Sequence, residues 1–168
     1  MTLHEVERLP LQKALVQESL EFRLEPFAQI ADELPPLLQK HWDELKPYGE
    51  GVSLNPNWSW YFDFARANIL HCFTARFENI LVGYIAMLVV KNSQHGRMQG
   101  DAHLFWLDPA FRTGWNAIKF FRFMETVLKE EGVQFINVEH IIHSNLGPMF
   151  KYLKYKPKFV IHSKYIGL

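Results

Sequence analysis

The chain has 168 residues, 48% of them hydrophobic and 15% aromatic, enough to bury a core and to exclude a disordered or low-complexity protein. Lys plus Arg and Asp plus Glu both number 18, so the formal charge is zero and a protein that coats nucleic acid is disfavoured. The single cysteine, Cys72, excludes an intrachain disulfide, and in the apolar run Ile69-Leu70-His71-Cys72-Phe73 it reads as a small buried hydrophobe.

The first residues, Met1 to Leu9, carry Glu5, Glu7 and Arg8 and lack the apolar centre of a signal peptide. The longest apolar stretch, Ile80 to Val90, is too short to span a bilayer. The expectation is a cytoplasmic protein without a membrane partner, one domain over residues 1–168, with 1–17 as a lead-in of unassigned role. Leu20, Phe22 and Leu24 alternate with charged residues and predict a first strand. From Phe27 to Leu45 apolar residues recur at helical spacing, interrupted by Pro35-Pro36, so two helices are expected with Pro36 near the start of the second. Residues 46–60 are rich in Pro, Gly and Asn and read as a loop. Within it Trp58 and Trp60, with Tyr61 just beyond, read as core or loop anchors, or else as the lining of a substrate groove.

Ile69 to Phe77 and Asn79 to Lys91 predict an antiparallel hairpin turning at Glu78. Residues 92–100 form a polar loop, and Ala102 to Leu107 is the next strand, ended by Asp108-Pro109. Ile118, Phe121, Met124 and Leu128 mark one face of a helix running to about Glu131, with Gly132 as its stop. Val133 to Val138 reads as a strand, so strand, helix and strand make a right-handed crossover. Ser144-Asn145 is a cap for a short helix over Pro148 to Leu153, and Lys158 to Ile166 is expected as a final strand. The fold class is α/β with a mixed sheet.

The chemistry lies in Phe105-Trp106-Leu107-Asp108-Pro109-Ala110-Phe111-Arg112-Thr113-Gly114-Trp115-Asn116-Ala117. A strand ends in a Pro turn, and a glycine-bearing loop opens directly into a helix. Free N–H groups and the positive end of the helix dipole make such a start an anion site. Gly114 lets the backbone approach a phosphate, and Arg112 adds positive charge. The same pattern also describes an ordinary βα turn, in which Gly114 serves the bend and Arg112 is solvated.

This stretch resembles the acyl-CoA signature of the GNAT superfamily of N-acetyltransferases. In that signature an Arg or Gln is followed three residues later by Gly and two after that by Gly or Ala. Arg112 and Ala117 match the ends, while the central Gly stands at 114 and Trp115 occupies its usual position. The run Leu128 to Val133, Leu81-Val82-Gly83-Tyr84, and Asn145 followed by Met149-Phe150 are also similar to the superfamily. Pro36 to Glu44 and Leu54 to Trp58 are similar to its tailed-phage members, and the resemblance covers about residues 20–168. It implies a mostly antiparallel sheet flanked by helices, with a splayed parallel strand pair that binds acyl-CoA. It further implies acetyl-CoA as acyl donor, backbone contacts to its pantetheine arm from Phe105, Trp106 and Leu107, and pyrophosphate contacts from Arg112, Thr113, Gly114, Trp115, Asn116 and Ala117. Asn145 and Phe150 are implied as further cofactor contacts. In a phage-encoded protein the compartment would be the host cytoplasm.

The implied reaction is direct attack of a neutral primary amine, on a small molecule or a protein, upon an acyl thioester. A homodimer is an allowed assembly. Glu44, His103, Glu139 and His140 are the candidate proton acceptors, the last two because they follow the strand ending at Val138. Many superfamily members carry a tyrosine acid on the last helix, but the matching position is Phe150, and Tyr152 lies roughly 200° around the helix from it. His140 and His143, with Glu139 beside them, could suggest a metal, yet no further ligand follows at convincing spacing and no metal is expected. A degenerate CoA-binding or virion-associated protein that keeps the fold is the alternative function.

Overall fold

The computed structural model describes residues 20–46, 52–141, 144–164 and 166. The expected lead-in 1–17 and the candidate ligand His143 lie outside the described residues. Five strands form one sheet in the order β1-β2-β3-β4-β5. They are β1 (Glu21–Glu25), β2 (Leu70–Phe77), β3 (Ile80–Lys91), β4 (Met98–Leu107) and β5 (Phe135–Val138). The first four pair antiparallel, and β4 pairs parallel to β5, so the mixed sheet is as expected. Glu78 and Asn79 both take left-handed backbone (φ 48° and 67°), the geometry of a tight hairpin turn whose twist suits the flanking strands.

Helices cover both faces. On one face lie α1 (Phe27–Ile30), α2 (Leu34–Leu45) and α3 (Trp58–Arg66); on the other lie α4 (Asn116–Glu130) and α5 (Gly147–Tyr152). Pro35 and Pro36 occupy the first turn of α2, where a missing N–H removes no helical hydrogen bond. The α4 stripe of Phe120, Phe121, Met124 and Leu128 is buried against Phe73, Ile85 and Met87 of the sheet. Gly132 (φ 83°) turns the chain out of α4 toward β5. The α1–α3 side packs on the opposite pleats, through Cys72, Tyr84, Ala86 and Trp106.

Three expectations need correction. Residues 58–60 are not loop but the start of α3, whose N-cap Asn57 accepts a hydrogen bond from the Trp60 N–H at 3.3 Å. Residues 158–164 and 166 form no strand, although they are rich in β-formers: Phe159, Val160 and Ile161 are exposed and pair with no strand among the described residues. The cap of α5 is Leu146 without a side-chain hydrogen bond; Ser144 turns to His140 instead of capping. Smaller shifts start β4 at Met98 and β5 at Phe135.

The sheet has two irregularities that shape the site. Ala86 pairs with Leu104 and Met87 with Ala102, so His103 is an extra residue bulging from β4. The parallel pairing of β4 with β5 ends at Ala102↔Val138, leaving Leu104 to Leu107 paired, among the described residues, on the β3 side only. The two strands therefore part where Glu139 follows Val138 and His103 follows Ala102.

Candidate acyl-CoA site

The loop after β4 is built from its own sequence. Asp108 accepts from the Ala110 N–H at 3.0 Å and opens a short 3-10 turn, Pro109–Phe111. The Asp108 N–H reaches across to the Val82 carbonyl at 2.8 Å, anchoring the strand end to β3. Gly83 makes this approach feasible: a Cβ there would sit 3.0 Å from the Trp106 carbonyl oxygen and 3.2 Å from the Leu107 Cα. Gly114 then takes left-handed backbone (φ 57°), with open space where a side chain would stand.

Helix α4 begins without help. No side chain caps it, and its first turn holds no acidic residue. Among the described residues, the N–H groups of Thr113, Gly114, Trp115, Ala117 and Ile118 have no acceptor, whereas the Asn116 N–H bonds the Thr113 carbonyl at 3.4 Å. Unsatisfied donors and the dipole together favour an anion there. The Asn116 side chain donates to the Phe111 carbonyl at 3.1 Å and braces the loop. Trp115 is exposed and lies 5.1 Å from the Tyr152 ring, so Tyr152 belongs to the rim of this loop. Tyr152 also carries Arg122, whose guanidinium carbon is 5.4 Å from the ring centroid.

Arg112 departs from its expected solvated or phosphate-facing pose. Its Nε donates to the Leu107 carbonyl at 2.7 Å, and its two terminal nitrogens grip the Glu44 carboxylate at 2.6 Å each. Glu44 also accepts from the Trp106 indole at 2.8 Å, and the Arg112 guanidinium lies 5.8 Å from the Trp106 ring. These bonds, Arg112's first, hold the Glu44 carboxyl below the usual carboxylate range. An acid so held is a poor proton acceptor, so the expected base Glu44 serves as a strut between α2 and the loop. One turn before it, Lys40 pairs with Asp108 at 3.0 Å. Between them His41 is buried, 2.7 Å from the Tyr84 hydroxyl, and burial pushes its imidazole down to about 4. Lys40, His41 and Tyr84 were missed by sequence reasoning; only the spacing of 40, 41 and 44 on one helix hinted that they share a face.

The other expected bases gather at the strand fork. The bulge turns His103 toward α3, where its ring lies 5.1 Å from that of Trp60 and its Nε2 is 3.2 Å from the Tyr61 hydroxyl. Desolvation lowers the His103 pKa, and the nearby Glu139 carboxylate works against that. Glu139 is exposed and forms no hydrogen bond among the described residues. His140 stacks on Phe150 with centroids 5.3 Å apart, and its Nδ1 lies 2.8 Å from the Ser144 hydroxyl. Phe150 is itself buried against Phe121, Phe105 and Tyr155, so its ring belongs to the core, while Asn145 is exposed on the turn before α5. The structure thus brings His103, Glu139 and the α3 aromatics together and sets Glu44 apart. No three His, Cys, Asp or Glu side chains converge among the described residues. No helix among them is long and apolar enough to cross a membrane.

This architecture, a sheet that forks beside an uncapped glycine loop, can be compared with solved structures. An aminoglycoside acetyltransferase from an uncultured soil metagenomic sample, solved with sisomicin, superposes with a TM-score of 0.66 at 15% identity, over 91% of this chain and 99% of that one. The ribosomal-protein-alanine N-acetyltransferase of Brucella melitensis biovar Abortus 2308 gives 0.70 at 12% identity, over 89% and 99%. The chain has the GNAT fold. A predicted acetyltransferase from Clostridium acetobutylicum, solved with acetyl-CoA, gives 0.65 at 15% identity over 88% and 96%. No protein-family model and no curated protein sequence matches the chain.

Proposed function

We propose that the protein is an N-acetyltransferase that moves an acetyl group from acetyl-CoA to a primary amine by direct attack. The observation that carries this is the uncapped start of α4, with five free N–H groups around Gly114, set at the end of the strand that forks from β5. In this reading the donors of Thr113 to Ile118 hold the pyrophosphate. The backbone of Phe105 to Leu107, unpaired on its β5 side, holds the pantetheine arm. Arg112, already neutralised by Glu44, stiffens the loop instead of supplying net charge.

At the fork, Glu139 draws in the ammonium form of the acceptor and takes its proton, while His103 stays neutral and orients the amine. The amine nitrogen bonds the acetyl carbonyl carbon and gives up its second proton to solvent at the open fork, the carbon–sulfur bond breaks, and the electron pair leaves on the CoA sulfur. Thiols ordinarily titrate at about 8.5, so that thiolate leaves readily and takes a proton from solvent at the open fork. Phe150 in place of a hydroxyl-bearing residue is therefore compatible with turnover.

The test is calorimetric titration of the protein with acetyl-CoA beside Gly114→Asp, followed by thiol release with primary amines. Gly114→Asp forces a side chain into left-handed backbone and sets a carboxylate beside the pyrophosphate, and should weaken acetyl-CoA binding at least about 100-fold. Equal affinity in the two proteins removes the loop assignment. Saturable binding without thiol release for any amine would favour a CoA-binding protein that has lost catalysis.

A further inference from the structure

Beside the glycine loop two large aromatic side chains stand in solvent. Trp115, the residue before α4, is 53% exposed, and Tyr152, the last residue of α5, is 48% exposed. Their ring centroids are 5.1 Å apart and their planes are inclined at 52°, so neither ring covers the other's face. The core does not need them: α4 buries Phe120, Phe121, Met124 and Leu128 instead, and α5 buries Phe150. Aromatic area left in water is unfavourable, and a flat ligand laid on it would remove that cost.

The rim around these rings is positive. Trp115, Lys119 and Arg122 are spaced by four and three residues, which sets them along one face of α4. The Arg122 guanidinium carbon is 5.4 Å from the Tyr152 ring centroid, and one of its terminal nitrogens donates to the Tyr152 hydroxyl at 3.4 Å. Lys151 precedes Tyr152 on α5 and is exposed. Among the described residues none of Lys119, Arg122 and Lys151 is in a salt bridge. Neither residues 109–124 nor residues 140–158 contain an Asp or Glu, and the first acid along α4 is Glu125. A chain with no formal net charge thus gathers unpaired cations around two open aromatic rings. A flat base that carries a phosphate matches that surface.

In CoA the pyrophosphate joins the pantetheine arm to an adenosine that bears a 3′-phosphate. With the pyrophosphate at the start of α4, that adenosine has to lie beside the same loop, which the two rings border. Resting on the acetyltransferase reading above, we infer that Trp115 and Tyr152 seat the adenine ring and that Arg122 and Lys119 take the 3′-phosphate. The donor is then acyl-CoA itself, and not an acyl group carried on phosphopantetheine alone. The experiment titrates the full chain calorimetrically with acetyl-CoA, acetyl-3′-dephospho-CoA and S-acetyl-4′-phosphopantetheine. Acetyl-CoA should bind at least about tenfold more tightly than S-acetyl-4′-phosphopantetheine. Trp115→Ala should lose about tenfold for acetyl-CoA, and Trp115→Phe should keep most of the affinity. Arg122→Gln should weaken acetyl-CoA about fivefold and leave acetyl-3′-dephospho-CoA as it was. If Trp115→Ala does not fold, Tyr152→Leu decides. Equal affinity for acetyl-CoA and S-acetyl-4′-phosphopantetheine, or variants that bind acetyl-CoA as the parent does, overturns the inference. If acetyl-CoA does not bind, the acetyltransferase reading fails, and the rim is judged by titrating adenosine 3′,5′-bisphosphate into the protein alone. Saturable binding weakened by Trp115→Ala then keeps the nucleotide seat, and binding indifferent to that variant, or none, ends it.

Discussion

Two carboxylates, Glu44 and Glu139, flank the forked strand and live in opposite settings. Glu44 is gripped by Arg112 and Trp106, and with Lys40 and His41 it ties α2 to the loop after β4. Glu139 is exposed and, among the described residues, unbonded, at the end of the strand that precedes it. The first is the kind of group that makes a loop rigid, since every bond it forms would have to break before it could act. The second is the group to which the proposed mechanism gives the acceptor's proton. A helix start can hold an anion only if its N–H groups are pre-aimed, whereas a fork that admits a substrate must leave its polar groups unspent. In the proposed mechanism the difference separates the half of the site that positions from the half that reacts.

The sharpest way to break that contrast is to neutralise each carboxylate in turn. Glu139→Gln should lower kcat by about 100-fold or more with acetyl-CoA affinity unchanged, a size typical of a lost proton acceptor. Glu44→Gln should leave the pH dependence of kcat as it was and reduce stability by roughly 1 kcal/mol or less, because the pair with Arg112 is partly solvated. Reversed outcomes, measured by thiol release across pH and by urea unfolding, would return the base to Glu44. Because desolvation lowers the His103 pKa, that imidazole is neutral above its ordinary value of about 6.5. Its protonation should therefore cut activity only on the acid side of that value.

The positioning half carries its own pH signature. His41 is buried and titrates at about 4 in the folded chain against about 6.5 when unfolded. Its folded value is depressed, so the unfolded chain binds the extra proton between those two values. The stability is intact above about 6.5 and is lost as pH falls toward 4, by on the order of 3 kcal/mol if the full shift is realised. Urea midpoints at pH 7 and pH 4.5 for the parent and His41→Gln check this, and the variant should lose less between them. An equal loss in both would place the acid sensitivity elsewhere.

Much of the scaffold was legible in the sequence because its signals are local. Alternation in Leu20 to Leu24, the turn at Glu78, the α4 stripe and the stop at Gly132 each depend on neighbours a few residues away. The glycine loop was legible for the same reason. Helix α3 was not: the Pro, Gly and Asn before it suggested a loop, although Asn57 is a helix cap, and its aromatics pack on several sides instead of forming one clean stripe. The run from Lys158 onward has strand-forming residues but no strand beside it, which composition cannot reveal. Least legible were the contacts made at long range. Nothing around Glu44 announces Arg112, 68 residues away, and the bulge at His103 exists only in the register between β3 and β4. Both the Glu44 strut and the fork are built from such contacts, so their residues could be named from the sequence while their settings could not.

Thiol labelling tests the floor between the two halves. Cys72 is paired with Ala86 under the α1 and α3 aromatics, and burial raises its thiol to about 12. At pH 8 hardly any thiolate exists, and what exists is covered, so the folded chain should react with iodoacetamide at least about 100-fold more slowly than the urea-unfolded chain. Labelling followed by mass spectrometry measures the ratio directly. Fast labelling of the folded protein would mean that α3 leaves the sheet often, and Tyr61 would then be too mobile to hold His103 beside the fork. Slow labelling means that the floor stays closed to the reagent while Glu139 remains in solvent. The rigid and reactive parts of the site would then meet within the span of one bulged strand.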